Sequence, residues 1–97
     1  MSYVVELLDK ARYELFESWK WYEEKEEGLG HRFEEAVYRK LYLIAGSPLH
    51  YPLKAGKYRE AQVEDFPFII VFKTDERRNL IIVYTLFHTS RHPRRKM

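Results

Sequence analysis

Phe66-Pro67-Phe68-Ile69-Ile70-Val71-Phe72, the turn Lys73-Thr74-Asp75-Glu76-Arg77-Arg78-Asn79 and the return Leu80-Ile81-Ile82-Val83-Tyr84-Thr85-Leu86-Phe87 decide the fold. Two runs rich in β-branched and aromatic side chains, separated by a short polar segment, predict a β-hairpin. Neither run alternates cleanly: Phe68, Ile70 and Phe72 share one face, Ile69 and Val71 the other. Strands apolar on both faces need cover on both. One cover must come from earlier in the chain, and the other face is left for a partner.

Working outward, the chain of 97 residues is expected to form one domain, residues 1–97, large enough for a single core. Its 45% hydrophobic and 16% aromatic content argues against disorder. The absence of Cys excludes disulfides, thiolate nucleophiles and Cys-based zinc sites. The longest apolar runs are strand-length, below the ~20 residues of a membrane helix. Glu6 and Asp9 stand where a signal peptide would carry lysines, so a cytoplasmic protein is expected.

The net charge of +2 conceals a polarised chain. Residues 1–35 hold five Lys/Arg against ten Asp/Glu, a balance of −5, and residues 36–97 hold twelve against five, a balance of +7. Such asymmetry points to nucleic acid or to an acidic partner, or else to an unevenly charged solvated surface.

Tyr3-Val4-Val5-Glu6-Leu7 alternates as a short first strand. Asp9 is a candidate helix cap. Ala11, Leu15, Trp19 and Tyr22, with Leu8 and Phe16 beside them, recur at helical spacing, predicting an amphipathic helix over about 9–26. Trp19 is expected in the core. Gly28-Leu29-Gly30 breaks that helix. A second follows with Phe33, Val37, Leu41 and Ile44 as its stripe, ending by Gly46 with Pro48 beyond. So short a connection makes the helices an antiparallel hairpin that covers one sheet face. Residues 47–53 read as a turn-rich connector and 57–63 as a weaker edge strand. The expected fold is α+β, order βααβββ, with helices on a mainly antiparallel sheet. Where the first strand joins that sheet is not set by the sequence.

This order resembles the RelE/ParE superfamily of bacterial type II toxins, and particular residues carry the resemblance. They are Tyr22-Glu23-Glu24 at the end of the first helix, and Gly28-Leu29-Gly30 with Arg32-Phe33 opening the second. Ser47-Pro48, Tyr51-Pro52 and Arg59 ahead of Phe66-Pro67-Phe68 follow, and the chain ends Phe87-His88 with Arg91-His92-Pro93. The superfamily implies two activities. RelE-like members are ribosome-dependent mRNA endonucleases, whereas ParE-like members poison DNA gyrase and are kept on plasmids as stabilization systems. Both are neutralised by a cognate antitoxin.

Cleaving RNA requires activating a 2′-hydroxyl and stabilising a doubly charged phosphorane-like state, which calls for clustered cations and an acid/base group. The RelE-like pattern implies lysines on the second strand and an arginine opening the third. Here those positions fall near Glu60 and Gln62 and on Ile69. The departure favours the ParE-like branch. If the chain is a nuclease, Arg59, His88 and Arg91 are its candidate catalytic residues; a third reading is an inactive family member that only binds its antitoxin.

Arg59 shares strand parity with Ala61 and Val63, so its guanidinium lies on the more apolar side and needs a carboxylate, a carbonyl or a ligand phosphate. An internal salt bridge to the helices is one expectation. Hairpin pairing places it near Val71 and Ile82, several residues from His88. His88 lies at a strand exit, either as a functional group or as a hydrogen-bonded cap. His88 and His92 are four apart, but with no helix and no nearby carboxylate a metal site is not expected, and neither is a cofactor. Arg91, Arg94, Arg95 and Lys96 form a basic tail. The partner-binding candidates are Arg59, Ile69, Val71, Tyr84, His88, Arg91, Arg94 and Arg95. The expected partners are an antitoxin and either DNA gyrase or ribosome and mRNA, with a homodimer or toxin–antitoxin hetero-oligomer as the assembly.

Overall fold

A computed structural model describes residues 2–90. Strand β1 spans Val4–Leu7, helix α1 Asp9–Lys25 and helix α2 Leu29–Gly46. A 3-10 turn Pro48–His50 leads to β2 (Leu53–Ala55), β3 (Tyr58–Gln62), β4 (Phe68–Asp75) and β5 (Leu80–His88). The five strands form one sheet in the order β1-β5-β4-β3-β2, with the helical hairpin on one face. The α+β reading and the helical hairpin hold, and two strand placements are new.

The first strand pairs in parallel with the last, Val4 opposite Leu80 and Leu7 opposite Val83. All other pairings are antiparallel. At the end of the connector, Leu53–Ala55 forms an additional strand against Tyr58 and Arg59, with an irregular register, so that β2 takes the sheet edge expected of 57–63 and β3 lies inside the sheet. The order is therefore βααββββ. All three residues of β2 are exposed, so no apolar pattern marks them.

Asp9 lies inside the first turn of α1; the N-cap is Leu8, without a side-chain hydrogen bond, correcting the expected cap. Its negative charge still sits favourably at the positive end of the helix. The second helix follows its stripe closely: Phe33, Val37, Leu41 and Ile44 are all buried. Ala11, Leu15 and Tyr22 are buried from α1, while Phe16 is 54% exposed. Trp19 packs against the core and stacks on Phe16.

From the sheet, Phe68, Ile70, Phe72, Ile81 and Val83 meet the helices. Tyr22, Phe33, Phe66 and Phe68 form one aromatic cluster, with Phe33 and Phe68 centroids 4.9 Å apart. This cluster fixes the tip of the helical hairpin over the start of β4.

The turn of that hairpin rests on two glycines with different tasks. Gly28 has φ +87°, a left-handed conformation that disfavours side chains. Gly30 has an ordinary φ, but a Cβ there would stand 2.6 Å from the Trp19 carbonyl oxygen. No residue of α2 caps its own N-terminus; Glu23 of α1 does so instead, accepting the Gly28 N–H at 2.8 Å and the Gly30 N–H at 2.9 Å.

Candidate functional site

The face of the sheet away from the helices carries alternate residues of each strand. Gln62 pairs with Ile69 and Glu60 with Val71, so these four lie side by side on that face. Ile69 and Val71 are half-buried. Across β5 the ladder contains a bulge: Val71 pairs with Thr85 and Phe72 with Val83, so Tyr84 is the extra residue. A bulge bends its strand and re-aims its side chains. Tyr84 is accordingly exposed, with its ring 5.2 Å from that of Tyr58 on β3. A depression of about 260 Å³ lies beside these rings, with Val71 and Phe87 among its apolar lining and Lys54 and Glu60 at its polar side.

Arg59 faces the other way. Its Nη1 donates to the Tyr51 carbonyl at 2.6 Å, so the partner is a carbonyl and not the expected salt bridge to the helices. The register places Arg59 opposite Phe72, itself opposite Val83, one residue from the Val71 and Ile82 expected of simple pairing. The Tyr51 ring packs edge-on against Phe72. Burial pushes the Tyr51 hydroxyl above its ordinary value, with the negative charge of Glu64 adding to the effect. Arg59 thus ties the 3-10 turn and its following residues to the sheet.

His88 ends β5 opposite Phe68, with its ring edge against the Phe68 ring at 5.1 Å. Its Nδ1 accepts the Ser90 N–H at 3.1 Å. That is the geometry of a capping histidine. Phe68 and Phe72, the partners of His88 and Arg59, are four residues apart on β4, about 13 Å at the rise of a strand. The described residues therefore do not bring Arg59 and His88 into one compact site. Arg91, Arg94 and Arg95 lie outside the described residues.

Sequence reasoning did not single out the opening on the helical side. A groove of about 640 Å³ runs beside β1, floored by Val5, Leu7 and Leu15 and walled by Phe16, Trp19 and Tyr38. Arg12, Glu23, His31 and Glu34 add charge around it. β1 is the edge of the sheet on that side, and its outer backbone groups form a template for another strand. The signal available in sequence was Phe16, an aromatic beside the stripe and not on it.

At the other end of the sheet, α1 seals the part of β5 that β1 does not reach. Glu14 Oε1 accepts the Leu86 N–H at 2.9 Å and the Thr85 hydroxyl at 2.7 Å. Lys10 Nζ bonds Glu14 Oε2 at 2.7 Å and donates to Thr85 Oγ1 at 2.8 Å.

Neither a protein-family model nor a curated protein matches the sequence. Solved structures do. The toxin–antitoxin complex RelBE2 from Mycobacterium tuberculosis contains a chain 17% identical, with TM-score 0.68, over 91% of this chain and 92% of that one. A chain of the chromosomal ParDE system from P. aeruginosa is 13% identical, with TM-score 0.74, over 90% and 96%. The isolated E. coli RelE toxin is 14% identical, with TM-score 0.65, over 99% and 100%. Near-complete coverage in both directions, by RelE-type and ParE-type structures alike, means that this chain carries the RelE/ParE toxin fold.

Proposed function

We propose that this chain is the toxin of a type II toxin–antitoxin pair and that it acts by protein–protein contact on DNA gyrase, as ParE-like toxins do, in the cytoplasm. The observation that carries the choice of branch is the outward face of β3 and β4. Where a RelE-like nuclease would present cations to a scissile phosphate, Glu60, Gln62 and Ile69 stand together. A carboxylate there repels phosphate and isoleucine offers no donor. Arg59, the remaining cation of that strand, is engaged with the Tyr51 carbonyl on the opposite face.

A cognate antitoxin neutralises the toxin in this reading. The apolar groove beside edge strand β1 supports cover by a partner's apolar segment. The basic balance of residues 36–97 suits an acidic partner.

The test is induction of the chain alone in bacteria, with pulse labels for DNA and protein synthesis. An early fall in DNA synthesis with translation continuing is expected, followed by inhibition of gyrase supercoiling by the purified protein. An immediate fall in translation would instead make the chain an mRNA endonuclease. Unimpaired growth with soluble protein present would end the toxin reading.

A further inference from the structure

Both helices pack on one side of the sheet, through Phe68, Ile70, Phe72, Ile81 and Val83, and no helix among the described residues packs on the other. Ile69, Val71 and Ile82 lie half-buried in the middle of that outward face, and Tyr84 is 45% exposed there. Strands apolar on both faces call for cover on both. Whatever covers this face must match its charges as well as its apolar middle.

Those charges have both signs. The register sets Glu6 of β1, Ile82 of β5 and Lys73 of β4 in one row. Tyr58 continues that row on β3, since Arg59 pairs with Phe72, and Lys54 ends it on β2, between the positions paired with Arg59 and Tyr58. Glu60 stands one row along, opposite Val71, and Asp75 is held by Arg78. Glu6 and Glu60 therefore balance Lys54 and Lys73, and a partner of a single sign finds no net field here. The balance has a direction, with the carboxylate of Glu6 on one edge of the sheet and the ammonium of Lys54 on the other. Four strand spacings, about 19 Å, separate the two edges, beyond the reach of a screened charge. Among the described residues neither Glu6 nor Lys54 is in an ion pair.

The surface that answers this pattern is a second copy of the same one. A two-fold rotation about an axis along the central strand β4 lays one sheet face on another, keeps the height of each row and exchanges the edges. Glu6 of each copy then stands over Lys54 of the other. Lys73 of each copy nears the axis, with Glu60 of the other copy one strand spacing to the side. The middle also matches itself: the Tyr58–Tyr84 ring pair stands beside a depression of about 260 Å³ that Val71 and Phe87 help to line, a projection and a hollow on one surface. We infer that the outward sheet face is the interface of a homodimer, two copies packed face to face about this axis. The inference goes beyond the proposed function and stands on the fold alone, so either can fail without the other. The eight residues of β4 and the four strand spacings make a face of roughly 26 by 19 Å. That is a small interface, so association at micromolar and not nanomolar concentration is expected.

The experiment is sedimentation velocity of the purified full chain from about 2 to 200 μM at low salt, where weak, charge-dependent association is visible. The wild type is compared with Glu6→Lys, with Lys54→Glu and with the chain carrying both reversals. Each single reversal turns two attractions into two repulsions and is expected to weaken the dimer on the order of 10-fold. The double reversal is expected to restore it to within about threefold of wild type. The two positions are too far apart in one chain to compensate each other, so restoration arises only across the axis. Glu6 and Lys54 are exposed, and thermal melts check that each variant is folded. If a reversal disturbs its short edge strand, Tyr84→Ala on the long strand β5 replaces it and is expected to weaken the dimer with the fold kept. A wild type that stays monomeric at about 200 μM overturns the inference and leaves the face to a partner of different sequence. A dimer untouched by the single reversals and by Tyr84→Ala places the contact elsewhere and overturns it too. So does a double reversal that stays as weak as the single ones.

Discussion

The carboxylate of Glu14, on α1, accepts the backbone N–H of Leu86 on β5 at 2.9 Å, doing for that strand what β1 does for its first half. β1 ends opposite Val83, three residues earlier. A sheet edge left partly buried with an unbonded N–H is costly, and here a side chain from the covering helix satisfies it. Glu14 also holds the Thr85 hydroxyl and the Lys10 ammonium, so three donors converge on one carboxylate.

Glu14→Ala leaves the Leu86 N–H and the Thr85 hydroxyl without this acceptor. The expected loss is about 1–3 kcal/mol of unfolding free energy, the cost of an unsatisfied buried donor. Glu14→Gln keeps an acceptor for Leu86 and is expected to lose less. Urea unfolding of the three proteins checks the order; an alanine variant as stable as wild type would show that water replaces the carboxylate fully.

The helical hairpin predicts opposite outcomes for two glycines. Gly30→Ala drives a methyl to 2.6 Å from the Trp19 carbonyl oxygen and is expected to cost about 1–3 kcal/mol through overpacking. Gly46→Ala meets nothing within 4 Å at the end of α2 and is expected to be neutral or to stabilise by up to ~1 kcal/mol. Thermal melts of both variants measure the contrast, and a Gly30→Ala protein melting at or above wild type would mean that the helices separate freely.

Glu23 gives the fold an acid limit. The Gly28 N–H, with smaller contributions from the Gly30 N–H and its neighbours, holds the carboxyl below its ordinary value of 4.5. A group whose folded value lies below its unfolded one lends stability that is complete above the unfolded value and is lost as pH falls through the folded one. Glu23→Gln is therefore expected to be less stable than wild type at neutral pH, with the gap closing as pH drops below 4.5. Urea midpoints from neutral to strongly acid pH test this, and a gap independent of pH would remove the charge from the explanation.

Thr74 on β4 is the opposite case. Its Oγ1 is buried with no hydrogen-bond partner among the described residues. Thr74→Val replaces that hydroxyl by a methyl of similar shape on a strand that favours β-branched residues. A gain of roughly 1 kcal/mol is expected, since an orphaned hydroxyl costs more buried than absent. A loss of stability on urea unfolding would mean that the hydroxyl is bonded in solution.

What the sequence disclosed follows from which elements carry their own cause. Phe33, Val37, Leu41 and Ile44 define α2 by spacing alone, and the hairpin of β4 and β5 announces itself by composition. Leu53–Ala55 has no such cause: all three residues are exposed, and only pairing with β3 makes them a strand. The parallel pairing of β1 is likewise a tertiary choice, between segments at opposite ends of the chain. At the candidate site, parity turned Arg59 inward correctly, but its carbonyl partner depends on the path of residues 48–51. The bulge at Tyr84 leaves no mark in the run from Leu80 to Phe87, and the pairing of Phe72 with Val83 follows from the turn closing Asp75 against Leu80, a choice that the polar turn residues do not announce.

Because Val4 pairs with Leu80, the sheet cannot be completed until β5 has been synthesised. Among the described residues β1 is bonded to β5 alone, and 76 residues separate the two paired positions, from 4 to 80. At the usual pace of translation that interval is about 4–15 seconds, during which the amino terminus waits without its neighbour. Contacts so distant in sequence also slow the final closure. A nascent chain of this kind presents a sheet with an unfilled edge until β5 has been made, which gives a protein made at the same time an opportunity to meet it as it first folds.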